Sequence, residues 1–163
     1  MKDDFVFDPC MLSDAATVAA TRGRIMAVDF GDVRTGLAFS DPGRTLATGA
    51  GFIKPGGIAK AAEAVAAAAA ERGAAAIVVG LPRNMDGTEG ARADRCREFA
   101  GRVAVLSGLP VMMTDERLTT VAASKYLNAT DVRGRERRKV IDSLSAEIIL
   151  QDTLEKLAGI GRS

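Results

Sequence analysis

The sequence predicts an α/β fold: a mixed five-stranded sheet with helices on both faces. Three observations predict it. Three strand-like segments joined by short turns open the fold, and two βα units follow them. The run Ala75 to Gly80, "AAIVVG", is continuously apolar, as in a strand covered on both sides. A chain of 163 residues makes one domain of ordinary size, and 47% hydrophobic residues supply a core of Ala, Val, Ile and Leu.

Residues 1–22 read as a flexible N-terminal extension, partly ordered at best, ahead of one domain at 23–158. Arg24 to Phe30 is the first strand, Thr35 to Ser40 the second and Arg44 to Ile53 the third. The links "GDVR" and "DPG" are short and turn-like, so the three strands form an antiparallel meander, ended by "KPGG". Ile58 to Arg72 is an Ala-rich helix that stops at Gly73. After the Ala75 to Gly80 strand, "LPRNMDGTE" is a loop in which Asp86 and Glu89 have the spacing to cap a helix reaching about Arg102. "LPVMMTDE" is the fifth strand, and Thr119 caps a helix from Thr120 to about Leu127. "NATDVRGRE" is a basic loop, and the last helix spans about Arg138 to Leu157.

Bulk charge points to no partner: 22 Lys and Arg against 21 Asp and Glu leave a net charge of +1. Any basic surface comes from local clustering. The absence of histidine excludes a Ser-His-Asp triad, a Cys-His dyad and a His-ligated zinc site. Cys10 and Cys96 are far apart and form no CxxC, as in a reduced, cytoplasmic protein. The acidic N-terminus has no sustained apolar run, so no signal peptide is expected. No stretch approaches about 18 uncharged apolar residues, so no membrane helix and no membrane partner are expected.

Three carboxylates stand in places that call for a reason. Asp29 ends a core strand between the glycines of "DFG" and "RTG", where a carboxylate is costly unless partnered. Taken alone, a turn aspartate that accepts local amide hydrogen bonds explains it equally well. Asp115 and Glu116 close an apolar strand, beyond whose carboxyl end ligands gather in open α/β sheets. They alternate in direction, so one of the two is expected to join Asp29. Glu116 could instead favour the next helix start, or pair with Arg117. Asp142 shares a helical face with Ala146 and Ile149, in a half-helix that also carries Val140, Ile141, Leu144 and Ile148. A place near a helix N-terminus explains the acid but not its apolar neighbours. Three clustered carboxylates need cations to stay ionised. Without histidine, all-oxygen ligation favours Mg²⁺ or Mn²⁺, which can activate water for phosphodiester cleavage.

The segments "AVDFGDVRTGLAFSD", "IVVGLPRNMDGTEG", "TDERLTT" and "KVIDSLSAEIIL" resemble, in order, the motifs of the YqgF/RuvX family. Those bacterial proteins have a ribonuclease H-like fold and are described as Holliday junction resolvases and as nucleases that mature the 5′ end of 16S rRNA. The resemblance covers about Arg24 to Leu157. It implies a hydrolase acting on phosphodiester bonds, with Asp29, Glu116 and Asp142 as catalytic metal ligands and Asp115 as a possible further acid. Its substrate is structured nucleic acid, either pre-16S rRNA or branched DNA.

Arg133, Arg135, Arg137, Arg138 and Lys139 lead straight into the helix bearing Asp142, where phosphate contacts would lie near the metal site. Arg83 and Asn84 in "GLPRNMDG" are further candidates for phosphate or sugar. Arg83 and Asn84 could equally be an ordinary polar loop, whereas adjacency to Asp142 favours the functional reading of the basic cluster over a solvated loop. Two other functions compete. A non-catalytic nucleic-acid-binding ribosome-assembly factor would keep the fold, but intact Asp29, Glu116 and Asp142 argue against it. An actin-like nucleotide-binding protein also has DxG after a strand, but needs two lobes where this chain has one.

Overall fold

The computed structural model describes residues 4–31, 33–54, 56–81, 90–115 and 134–161, with side chains in the last segment from 144 to 160. A 3₁₀ turn (Pro9–Met11) and helix α1 (Ala15–Ala20) precede strands β1 (Arg24–Asp29), β2 (Thr35–Ser40) and β3 (Ala47–Ile53). Then come α2 (Ile58–Arg72), β4 (Ala74–Leu81), α3 (Ala91–Ser107), β5 (Val111–Asp115) and α4 (Gly134–Gly161). The five strands form one mixed sheet in the order β3-β2-β1-β4-β5. The β1–β2 and β2–β3 pairs are antiparallel, as the meander predicts, and the β1–β4 and β4–β5 pairs are parallel.

Strand alternation divides the core into two layers. Met26, Val28 and Phe30 of β1 pack with Leu37 and Phe39 of β2 beneath α2 and α3, where Val65, Phe99 and Val103 are buried. Ile25 and Ala27 point the other way, with Ala38, Val78 and the α4 residues Ala146, Ile149, Leu150 and Leu154. Both faces of the sheet are therefore covered, which is why β4 is apolar at nearly every position.

Several boundaries differ from the sequence reading. The third strand starts at Ala47 rather than Arg44, because the Asp41 carboxylate accepts hydrogen bonds from the Thr45 and Leu46 amides and folds residues 41–46 into a turn. Helix α3 begins at Ala91 behind Gly90 and continues past Arg102 to Ser107, ending at "GLP". The proposed Asp86–Glu89 cap and the helix at 120–127 lie outside the described residues. The last helix starts at Gly134, so Arg135 and Arg137 are helical rather than in a loop, consistent with the good helix formers around them.

The N-terminal stretch is also built into the fold rather than loosely attached. Val18 is fully buried in the α4-side layer. The Ser13 amide donates to the Val111 carbonyl at 2.7 Å. Arg44, held at φ 60°, donates to the carbonyls of Gly23 (2.7 Å) and Val18 (3.3 Å) and to the Thr21 hydroxyl (2.6 Å). These partners lie far from Arg44 in sequence, so no local pattern announces them.

Candidate active site at the carboxyl edge of the sheet

Strands β1, β3, β4 and β5 run in one direction, so Asp29, Ile53, Leu81 and Asp115 all lie at one edge. Asp29 continues the parity of Ile25 and Ala27, and so stands on the α4 face, half-buried. Its partner in β2 is Gly36, and Gly36 in turn pairs with Phe52 of β3. On the other side Val28 pairs with Val79, which places Gly80 beside Asp29, and Gly80 pairs with Thr114. One row therefore reads Phe52, Gly36, Asp29, Gly80, Thr114. Both neighbours of the carboxylate lack side chains, and both are themselves buried.

Helix α3 secures this row from the opposite face. Phe30, the residue after Asp29, stacks on Phe99 with ring centroids 4.4 Å apart and planes 14° apart. The Arg92 guanidinium donates to the Phe30 carbonyl at 3.4 Å. The buried Cys96 thiol donates to the Gly80 carbonyl at 3.1 Å. Arg92, Cys96 and Phe99 fall on one face of α3 by helical spacing. One helix stripe thus fixes the backbone on both sides of the carboxylate.

The turn after Asp29 is tight for a specific reason. A Cβ on Gly31 would collide with the Arg34 carbonyl oxygen. Gly31 does not have positive φ, so close approach of the backbone is what calls for glycine here. The Thr35 hydroxyl donates to the Gly31 carbonyl at 3.5 Å across the same turn.

Asp115 falls in the Phe30 and Leu81 row, on the α2/α3 face, and is exposed. It therefore stands on the opposite face from Asp29. Glu116, Arg83, Asn84 and Arg133 lie outside the described residues. Asp142 lies in α4 one turn before Ala146, and Arg135, Arg137, Arg138 and Lys139 lie in its first turns. The side chains of these five are likewise outside the described residues. Among the described residues no group of three or more His, Cys, Asp or Glu is placed to hold a metal.

The structure adds residues that sequence reasoning did not single out. Arg34 and Lys54 lie over the Phe52 ring, at 5.1 and 5.8 Å from its centroid. Arg92, Cys96 and Phe99 read as ordinary helix residues until the fold sets them under Asp29 and Gly80. No helix among the described residues is long and apolar enough to cross a membrane.

Comparison with known proteins bears on the family and the fold. A family model described as "RuvX: Holliday junction resolvase" matches residues 23–156. A protein of Rhodopseudomonas palustris (strain BisB5), named "Putative pre-16S rRNA nuclease", is 43% identical over 152 residues, covering 93% of this chain and 95% of that protein. A protein of the same name from Bradyrhizobium diazoefficiens is 43% identical over 149 residues, covering 91% and 92%. Among solved structures, Thermus thermophilus RuvC in complex with a Holliday junction substrate superposes with a TM-score of 0.52 at 14% identity, over 84% of this chain and 96% of that one. That likeness extends to the fold, a ribonuclease H-like sheet. With a family match over residues 23–156 and 43% identity to relatives along nearly its whole length, this chain belongs to the RuvX family.

Proposed function

We propose that this protein is a cytoplasmic, metal-dependent nuclease that cleaves phosphodiester bonds of structured nucleic acid, in 5′-end maturation of pre-16S rRNA. The observation that carries the reading is Asp29. It lies at the carboxyl edge of the central strand, flanked by Gly36 and Gly80, in a chain whose relatives bear the nuclease name.

Asp29, Glu116 and Asp142 would hold Mg²⁺ or Mn²⁺. The donor set supports hard divalent cations, since the chain has no histidine and its candidate ligands are carboxylate oxygens. Such ions, when bound, activate water and stabilise the leaving oxygen. Asp115 is left out of the set because its place in β5 is on the far face. Gln151 supports the part given to Asp142: its side chain accepts from the Ala47 amide and so pins α4 at the start of β3, the end of the sheet remote from Asp29. Asp142 lies nine residues nearer the helix N-terminus, a shift of about 13 Å along the axis. Within the chain, Asp29 is the central ligand, Gly36 and Gly80 place no side chain beside it, and Arg92, Cys96 and Phe99 hold its backbone in place. Arg83, Asn84, Arg133, Arg135, Arg137, Arg138 and Lys139 would contact phosphate or sugar.

The test is cleavage of a 5′-extended 16S rRNA precursor by wild type and Asp29→Asn, in Mg²⁺ or Mn²⁺ and in excess EDTA. Cleavage by wild type with a divalent ion, lost in Asp29→Asn and in chelator, is expected. Undiminished cleavage in EDTA would overturn the metal assignment. The family description favours a second reading, resolution of a four-way DNA junction. Cleavage of the junction with the RNA left intact would establish it instead. Binding without cleavage of either would leave an assembly factor.

A further inference from the structure

We propose that Ser145 is a positioning residue of the carboxylate site: its hydroxyl donates to a ligand carboxylate of that site and orients it when a divalent cation is bound. The inference rests on the nuclease reading and deepens it, adding a neutral group of α4 to the three acids. Three observations carry it.

The first lies in the buried polar side chains. Among the described residues these are Thr35, Ser40, Ser145 and Thr153. Ser40 accepts from the Ile25 amide at 2.9 Å and donates to the Asp41 carbonyl at 2.8 Å. Thr35 donates to the Gly31 carbonyl at 3.5 Å and Thr153 to the Ile149 carbonyl at 2.7 Å. Ser145 is 1% exposed, and it alone of the four has no hydrogen-bond partner among the described residues. A buried hydroxyl left unsatisfied opposes folding, so it calls for a reason such as a catalytic role or an ion.

The second is the contrast with Thr153. Both residues lie on the buried stripe of α4, eight residues apart. A hydroxyl inside a helix commonly bonds the carbonyl four residues back, as Thr153 does with Ile149. The Ser145 hydroxyl does not take that bond. The helix itself therefore leaves this donor unused.

The third is position. Gln151 reaches the β3 side of α4, accepting from the Ala47 amide at 2.9 Å and donating to the Thr45 carbonyl at 3.2 Å. Six residues earlier, Ser145 is turned about 120° from Gln151 around the helix and lies about 9 Å nearer the Asp29 end of the sheet. Asp142 is turned about 180° from Gln151, one turn further on. Both positions are on the flank away from β3, next to Ala146, which shares a core cluster with Ala27 of β1 and Val78 of β4. Asp29 continues that face of β1 two residues past Ala27. The unused donor thus belongs to the turn of α4 that carries Asp142 toward the Asp29 end. Carboxylates that ligate cations are themselves held by hydrogen bonds, and losing one such bond weakens metal binding by about 10–100-fold.

The experiment titrates Mn²⁺ into the chelator-stripped full chain, reads binding by electron paramagnetic resonance, and melts the metal-free protein. Ser145→Ala removes the oxygen and little else. Its Mn²⁺ affinity should fall about tenfold. Its metal-free form should melt at the wild-type temperature or up to roughly 2–4 °C above it, because no bond is lost and an unsatisfied group is removed. Thr153→Val removes a hydroxyl of the same stripe that already has its partner, so its Mn²⁺ affinity should match wild type. Unchanged Mn²⁺ affinity in Ser145→Ala would overturn the inference. So would a metal-free Ser145→Ala that melts below wild type, which would mark a structural hydrogen bond. An equal loss of affinity in Thr153→Val would overturn it too, as a general loosening of α4. Cleavage of the 5′-extended 16S rRNA precursor by wild type, scored in parallel, separates this inference from the reading it rests on. Cleavage with equal Mn²⁺ affinity in wild type and Ser145→Ala refutes the Ser145 role alone. Weakened Mn²⁺ binding in Ser145→Ala without any cleavage by wild type refutes only the nuclease reading. A wild type that binds no Mn²⁺ overturns both.

Discussion

Asp29 and Gly36 face each other directly across the β1–β2 hairpin, so the proposed catalytic carboxylate sits opposite a position with no side chain. Gly36 does not have positive φ, and its backbone is an ordinary strand. Gly36 is buried, so its lack of a side chain matters for how closely its surroundings pack beside Asp29. Gly36→Val, a good strand former, should fold yet crowd Asp29. We expect cleavage to fall about a hundredfold, the scale of a displacement near 1 Å in a reacting group. Steady-state kinetics with a circular dichroism melt checks this, and near-normal kcat/KM would remove the glycine row from the mechanism.

Gly31→Ala should act through stability first. The new Cβ meets the backbone carbonyl of Arg34, which has no flexible side chain to move aside. The turn must open, at a cost of about 1–3 kcal/mol, as for other overpacked sites. Urea unfolding measures the cost, and a loss below about 0.5 kcal/mol would show that the turn adjusts freely.

Val18→Ala tests whether the N-terminal stretch belongs to the fold. Val18 is fully buried against the α4-side layer. Removing two methyl-sized groups from such a site should cost about 1.5–3 kcal/mol. An appended, independent extension would give no change in the global unfolding midpoint.

Asp41 links stability to acid pH. The Leu46 amide, followed by the Thr45 hydroxyl, holds its carboxyl down to about 2 from an ordinary value near 4. A depressed carboxylate pKa favours the folded state above the unfolded-state value, and that contribution is lost as pH falls toward 2. The stability difference between wild type and Asp41→Asn should therefore be constant above about pH 5 and shrink between pH 4 and 2. A difference that stays constant down to pH 2.5 would contradict the hydrogen-bonded turn.

Much of this architecture was legible in the sequence because the signals are local. Turn residues and apolar runs mark β1, β2, β4 and β5, Gly73 stops α2, and the meander followed by βα units determines a mixed sheet. Asp29 stood out because a carboxylate at the end of an apolar strand is a local contradiction of burial. The ordered motifs that resemble one family identified that family for the same reason, since each is a contiguous string.

Tertiary structure decided what depends on pairing between distant segments. Register put Gly36 and Gly80 on either side of Asp29 and set Asp115 on the other face. Arg44 left the predicted third strand for a turn, where burial lowers its pKa and its guanidinium binds the N-terminal helix and the start of β1. Cys96 and Arg92, ordinary residues of a helix, became braces for Gly80 and Phe30 once α3 packed against the sheet. Each of these relations joins residues separated by a strand, a helix or more, and a periodic pattern carries no record of which partners the chain will choose.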